Sequence, residues 1–184
     1  MLRFGKRRQD GRGQTLVEFA LVAPIFFLLV FSVIQLGLIF ASQNGLVDGV
    51  RNAARRAATY RVNDGSFDLT IWPDICASIA AEVDAQLSKR VVGYNAANLT
   101  SSVTYEWVQT PDDDPAVDEY FLVAHVSASY RNPLYVPLVS AFLDRADGTA
   151  DDVLTLTASE QMRVENPGLT FTTGSTPGSP PSPC

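Results

Sequence analysis

From Phe19 to Phe40 nearly every position is apolar, with only Pro24, Ser32, Gln35 and Gly37 interrupting, and no charged side chain stands between Glu18 and Asp48. A bilayer crossing requires about 20 such residues in a helix rising ~1.5 Å per residue, and this stretch supplies them. The apolar core of a secretory signal is usually only about 7–15 residues, so cleavage near Ala41-Ser42 fits the pattern less well than a retained span. Helical spacing persists beyond the apolar run, since Leu46, Val50, Ala53, Ala54, Ala57 and Tyr60 recur three and four residues apart with no proline before Pro73. One helix is therefore expected from Gln14 to about Tyr60, with a kink at Pro24, which cannot donate to the carbonyl four residues back.

Along this helix Gly37, Ala41, Gly45, Gly49, Ala53 and Ala57 form a file of small residues at four-residue intervals. Small files let helices approach closely. Each step advances about 400°, so the file drifts by ~40° and no straight partner can follow all six positions. Two or three local contacts are expected, against the chain's own head or a second helix of the same kind. Each glycine costs a helix about 1 kcal/mol relative to alanine, which implies a return in packing or in bending.

Periodicity then changes. After a loop at about 62–70, Trp72-Pro73 opens a second helix with Ile75, Ile79, Val83 and Leu87 on one face, ending near Lys89-Arg90 before Gly93. Alternating apolar and polar residues over 99–109, 119–130 and 153–165 predict three antiparallel strands. Their core faces are Val103, Tyr105 and Trp107; Tyr120, Leu122, Ala124, Val126, Ala128 and Tyr130; and Leu154, Leu156, Ala158 and Met162. Between the last two strands, Pro133 and Pro137 precede a short helix at 138–143 and an acidic turn. From Asn166 the chain is rich in Thr, Gly, Ser and Pro, and disorder is expected there. The predicted class is α+β and pilin-like: a long spine helix, a second amphipathic helix and a sheet of about three strands. Its parts are a leader at 1–13, the spine at 14–61, a head at 62–165 and a tail at 166–184.

Charge orients this plan. Of the 14 basic and 20 acidic residues, Arg3, Lys6, Arg7, Arg8, Arg12 and Asp10 precede Gln14, so the remainder carries 9 basic against 19 acidic residues. A basic cluster before the span places the amino end in the cytoplasm and residues from about 42 onward outside. The acidic body disfavours nucleic acid and anionic lipid headgroups alike as partners of the globular part. Cys76 and Cys184 fit no metal spacing; they either form one disulfide in an oxidising compartment or remain free thiols. The acidic stretches Asp112–Asp114 and Asp144–Asp152 follow no known calcium-loop spacing and read as solvated turns. His125 has no neighbour that would build a nucleophile system, and no phosphate-cradling loop or paired catalytic carboxylates stand out. Nothing points to an enzyme, a metal or a cofactor.

Glu18 is a carboxylate at the edge of the apolar run, where a charge is unfavourable unless paired or near water. Five positions earlier, Gly13 opens Gly13-Gln14-Thr15-Leu16-Val17-Glu18-Phe19, directly after the basic leader. This reads as a prepilin-type processing site: cleavage after Gly13 creates an ammonium group on Gln14, and Glu18 neutralises that of its own or a neighbouring subunit. An uncut single-pass anchor whose head binds another envelope component is the alternative.

Arg12-Gly13, Val17-Glu18-Phe19-Ala20-Leu21-Val22-Ala23-Pro24, the aliphatic run and Ala53-Ala54-Arg55-Arg56-Ala57 resemble the TadE-like family of pseudopilins, minor subunits of the tight-adherence (Flp, type IVc) pilus system. Leu154–Glu165 resembles the family's closing strand. Many relatives carry an acidic residue near Gln35 and a basic one near Leu38, and here both are uncharged. The resemblance implies processing by a prepilin peptidase, retention in the bacterial inner membrane, and partnership with other pilins and an assembly platform.

Overall fold

The computed structural model describes residues 12–59, 62–63, 66–67, 72–110, 117–136, 140, 143, 151–164, 169–172, 177–180 and 183–184. The chain opens with α1 (Arg12–Ala58), 47 residues in one uninterrupted helix that runs through Pro24. At ~1.5 Å per residue it is a rod of about 70 Å. Where a loop was expected, β1 (Val62–Asn63) and β2 (Ser66–Phe67) pair as a minimal antiparallel hairpin. Next come α2 (Trp72–Arg90), a turn of 3-10 helix at Ala96–Asn98, and the strands β3 (Leu99–Thr110), β4 (Val117–Pro133), β5 (Val153–Arg163) and β6 (Leu169–Thr172).

The three expected strands are β3, β4 and β5, paired antiparallel in that order. The sheet has one strand more than expected. β6 pairs with Val117–Tyr120 of β4, and because β3 already occupies Glu119 and Tyr120 from one side, β6 takes the side of β5. The expectation of a disordered tail fails for these four residues. In Leu169-Thr170-Phe171-Thr172 apolar and β-branched residues alternate, which suits a pleated edge once a free strand edge lies beside it. Of the short helix expected at 138–143, only Ser140 and Leu143 are described, both helical, and the Ser140 N–H donates to the Val136 carbonyl at 2.8 Å. The acidic stretches at 112–114 and 144–150 lie outside the described residues.

Period-two alternation puts Val103, Tyr105, Leu122, Ala124, Val126, Ala128, Tyr130 and Leu156 on one face of the sheet, all buried. Leu154, Ala158, Met162 and Trp107 pack around them, half-buried. Against this face lie Ile79, Val83 and Leu87 of α2 and Leu46, Val50, Ala53, Ala54 and Ala57 of α1. Each fully buried Val or Leu contributes about 1.5–3 kcal/mol, so the core rests largely on these residues. The helix is tied to the sheet by the Tyr105 hydroxyl, which donates to the Ala57 carbonyl at 2.8 Å at the far end of α1.

The small file divides according to partner. A Cβ on Gly49 would lie 3.1 Å from Val83 Cα and 3.2 Å from the Val83 carbonyl oxygen, and one on Gly45 would lie 3.3 Å from Arg90 Cβ. Gly45 and Gly49 thus lie in the contact between α1 and α2 of the same chain, and Ala53 and Ala57 of the same file are buried in the core. Ala41 is half-buried, and a Cβ on Gly37 would meet nothing within 4 Å. The file leaves α2 at its lower end because α2 stops at Arg90, opposite Gly45.

Cys76 and Cys184 are joined by a disulfide, with Cα atoms 6.0 Å apart. The last described residues run beside β3: the Gly178 carbonyl accepts from Trp107 Nε1 at 2.9 Å, and the Cys184 N–H reaches the Val103 carbonyl at 3.3 Å. This is a second departure from the expected disordered tail, brought about by a crosslink and by hydrogen bonds that composition alone does not reveal.

Two outcomes follow. Gly49→Leu should lower the unfolding midpoint of the detergent-solubilised chain by the equivalent of about 1–3 kcal/mol, because the obstruction is backbone, while Gly37→Leu should leave it nearly unchanged. Cys184→Ser opens a loop spanning 108 residues. It should cost about 2–5 kcal/mol in denaturant titrations, an effect matched by reductant on the unmutated chain.

Candidate functional site: the long helix and the foot of the head

The first half of α1 is bare. Large apolar side chains from Leu16 to Phe40 project outward, with Ile25 72% exposed, and the head first takes hold of the helix on one face at Gln35. An apolar surface of this extent is unstable in water and stable in hydrocarbon, so α1 is long and apolar enough to cross a membrane. Ser32 returns its hydroxyl to the Leu28 carbonyl at 2.7 Å, which satisfies that group inside the helix.

At the amino end, Gly13 is exposed with open space where a Cβ would stand. Glu18 is exposed one turn above Gln14, and the Gln14 side-chain amide donates to Glu18 Oε1 at 3.3 Å. The helical repeat therefore puts residues 14 and 18 on one face, within reach of each other. Phe19 projects outward beside them.

Where the core begins, the helix meets the head through a group with no assigned role in the sequence. Gln35 is 0% exposed, and its Oε1 accepts the Tyr135 backbone N–H at 3.0 Å. Its Nε2 is buried with no hydrogen-bond partner among the described residues. Tyr135 belongs to the segment leaving β4, and its hydroxyl donates to the Val92 carbonyl at 2.6 Å in the turn that leaves α2. Gly93 in that turn has φ +67, and a Cβ there would meet the Tyr135 hydroxyl at 2.5 Å, so glycine is required on both counts. A lone amide inside an apolar run was the signal that could have marked Gln35. Its partner, 100 residues away, could not be read from spacing.

The same turn is secured from above. The Tyr94 hydroxyl donates to Asp84 Oδ1 on α2, and its ring stacks on Tyr130 at 5.6 Å between centroids. Tyr130 in turn accepts the Asn95 N–H at 3.3 Å. Burial, and then the bond to the Asp84 carboxylate, raise the pKa of Tyr94 well above the ordinary tyrosine value; burial raises that of Tyr130 too. Beside Gly45, Arg90 pairs with Asp48 at 2.6 Å.

The outer face of the sheet carries a different arrangement. The register aligns Ser102, Ser127 and Ser159 in one cross-strand row and Thr100, Ser129 and Thr157 in the next. These six hydroxyls line a shallow depression of about 390 Å³. None of its lining side chains titrates near neutral pH, so it offers no general acid or base. His125 stands in the adjacent row, with Nε2 3.4 Å from Glu106 Oε2. Among the described residues there is no group of three or more metal-ligating side chains, and Asp151 is held by Arg131 at 2.5 Å.

These features define a single-pass membrane-anchored protein whose α+β head is built directly onto the distal half of its anchor. Residues 13–55 match the family model for TadE-like protein, so this stretch of the spine is similar to that family. The match covers α1 almost from end to end and stops before the head, leaving Leu154–Glu165 outside it. Neither the curated proteins nor the solved structures contain a match to the chain.

Because the folded head holds the Tyr94 proton more tightly than the unfolded chain, this group's contribution to stability is complete below pH about 10 and is lost as pH rises above it. Urea midpoints measured at rising alkaline pH should therefore fall less steeply for Tyr94→Phe than for the unmutated chain.

Proposed function

We propose that this chain is a minor pilin or pseudopilin, a structural subunit for assembly of a tight-adherence pilus or the related secretion apparatus. It is processed by a prepilin peptidase after Gly13 and held in the inner membrane with its head outside. The observation that carries this reading is the division of α1: a bare apolar half beginning at a TadE-like Gly13-to-Phe19 sequence, and a packed half that is part of the head. A subunit of this kind works by lateral association, and it needs a helix that can be surrounded first by lipid and then by other helices. Its partners are the peptidase, other pilins and the inner-membrane assembly platform.

In the mature chain, the new ammonium group on Gln14 lies within one turn of Glu18. Neutralising the two charges together removes an unfavourable burial that either would impose alone. The Gln14–Glu18 contact and the open space around Gly13 suit that reading, since a protease needs access to the bond it cuts.

Mass spectrometry of the protein isolated from cells with an active prepilin peptidase should find an amino terminus at Gln14. A terminus at Met1 would favour the uncut anchor instead, and one near residue 42 a product of signal peptidase released into the soluble fraction.

A further inference from the structure

Outside α1, among the residues whose side chains are described, the exposed large apolar ones are Val92 at 59% and Tyr135 at 48%. Singly scattered exposed apolar residues are ordinary, but these two are in contact, through the bond from the Tyr135 hydroxyl to the Val92 carbonyl. They also sit beside the span, since the Tyr135 N–H is bonded to Gln35. The head thus presents its exposed apolar surface at its foot, where it meets the membrane-crossing helix.

Depth along α1 can be reckoned from helix geometry. From Gln14 to Gln35 the rise is about 32 Å, against a hydrocarbon thickness of ~30 Å. Gln35 therefore stands near the outer boundary of the hydrocarbon. On the face turned away from the head, exposed apolar residues continue to Phe40, a further ~7 Å. A segment docked at Gln35 consequently lies at or below the level that lipid reaches on the other side of the helix.

The sequence of this segment suits that depth. From Asn132 to Leu143 no residue is charged, and the stretch includes Leu134, Tyr135, Val136, Phe142 and Leu143. Leu134 and Ser140 are buried, which fixes the segment to the head and turns Tyr135 outward. Tyrosine is enriched at membrane interfaces because its ring favours the acyl boundary while its hydroxyl keeps a polar partner. α2 descends antiparallel to α1 and ends at Arg90 beside Gly45, about 15 Å beyond Gln35, so the exposed Lys89 stands at headgroup level as a local cation on an otherwise acidic head.

We propose that the foot of the head, Leu134–Val136 with Val92, inserts into the outer leaflet beside α1, so that the protein holds the bilayer at a second point besides its span. The partner is the phospholipid interface. Gln35 acts as the joint: its buried carboxamide takes the backbone donor of Tyr135 at a depth where water is not available to do so. This inference rests on the reading that α1 crosses the membrane.

The test uses the full chain in nanodiscs of phosphatidylethanolamine and phosphatidylglycerol. Photoreactive p-benzoylphenylalanine is placed in turn at Phe27, Phe40, Tyr135, Val92 and Glu119, and lipid adducts are quantified by mass spectrometry. Val92 serves as an independent site because Tyr135 carries a hydrogen bond that its replacement removes. Interfacial insertion of ~5–10 Å should give adducts at Tyr135 and Val92 within about threefold of those at Phe40 and about tenfold or more above Glu119. Adducts at Phe27 and Phe40 with none above the Glu119 level at Tyr135 and Val92 would overturn the proposal and leave the span intact. No adduct at Phe27 would overturn the span itself, and the proposal with it.

Discussion

One helix has to be soluble in two media, and the rest of the structure answers to that requirement. The half of α1 that carries Ile25, Phe26 and Phe27 can afford no polar surface, while the half that carries Gly45, Gly49, Ala53 and Ala57 gives up side-chain volume so that α2 and the sheet can close on it. The head does not hang from the anchor by a linker. Removing α1 would take Leu46, Val50 and three alanines out of the core, so the anchor is one wall of the domain. The stretch that matches the family model lies within this one wall, on which the rest of the core depends.

Much of this was legible in the residues. Alternation over β3, β4 and β5 located the strands and their buried faces because each side chain's direction follows from position when one face is wet. The apolar spacing of α2 gave its bounds, since Trp72-Pro73 and Lys89-Arg90 before Gly93 are local signals of start and stop. The small file announced a close contact, and its drift announced that the contact would be partial. What spacing could not say was whether the partner was this chain's own α2 or another copy, because both demand small residues equally.

The rest was hidden for a common reason: it depends on pairing across long separations. β6 has too few apolar residues to declare itself and becomes a strand only because an edge of β4 is vacant beside it. The bond between Gln35 and Tyr135 joins positions 100 residues apart, and although Gln35 stands out as a lone amide in an apolar run, nothing near it points to Tyr135 as its partner. The tail's composition predicts disorder, because the tail has too little apolar surface to fold by itself. That expectation fails once a crosslink and the carbonyl of Gly178 tie the tail to a finished sheet.

The disulfide has a mechanical meaning. Cys76 lies on α2 and Cys184 beyond β6, so every strand of the main sheet falls inside the covalent ring, while α1 lies outside it. A pull delivered through α1 can peel that helix from its seat and straighten the stretch leading into α2. It cannot draw the sheet out into a thread, because the ring bears the load in parallel with the hydrogen bonds. Under tension the domain is therefore divided into an extensible stem and an inextensible body, and the border between them is set by the position of Cys76.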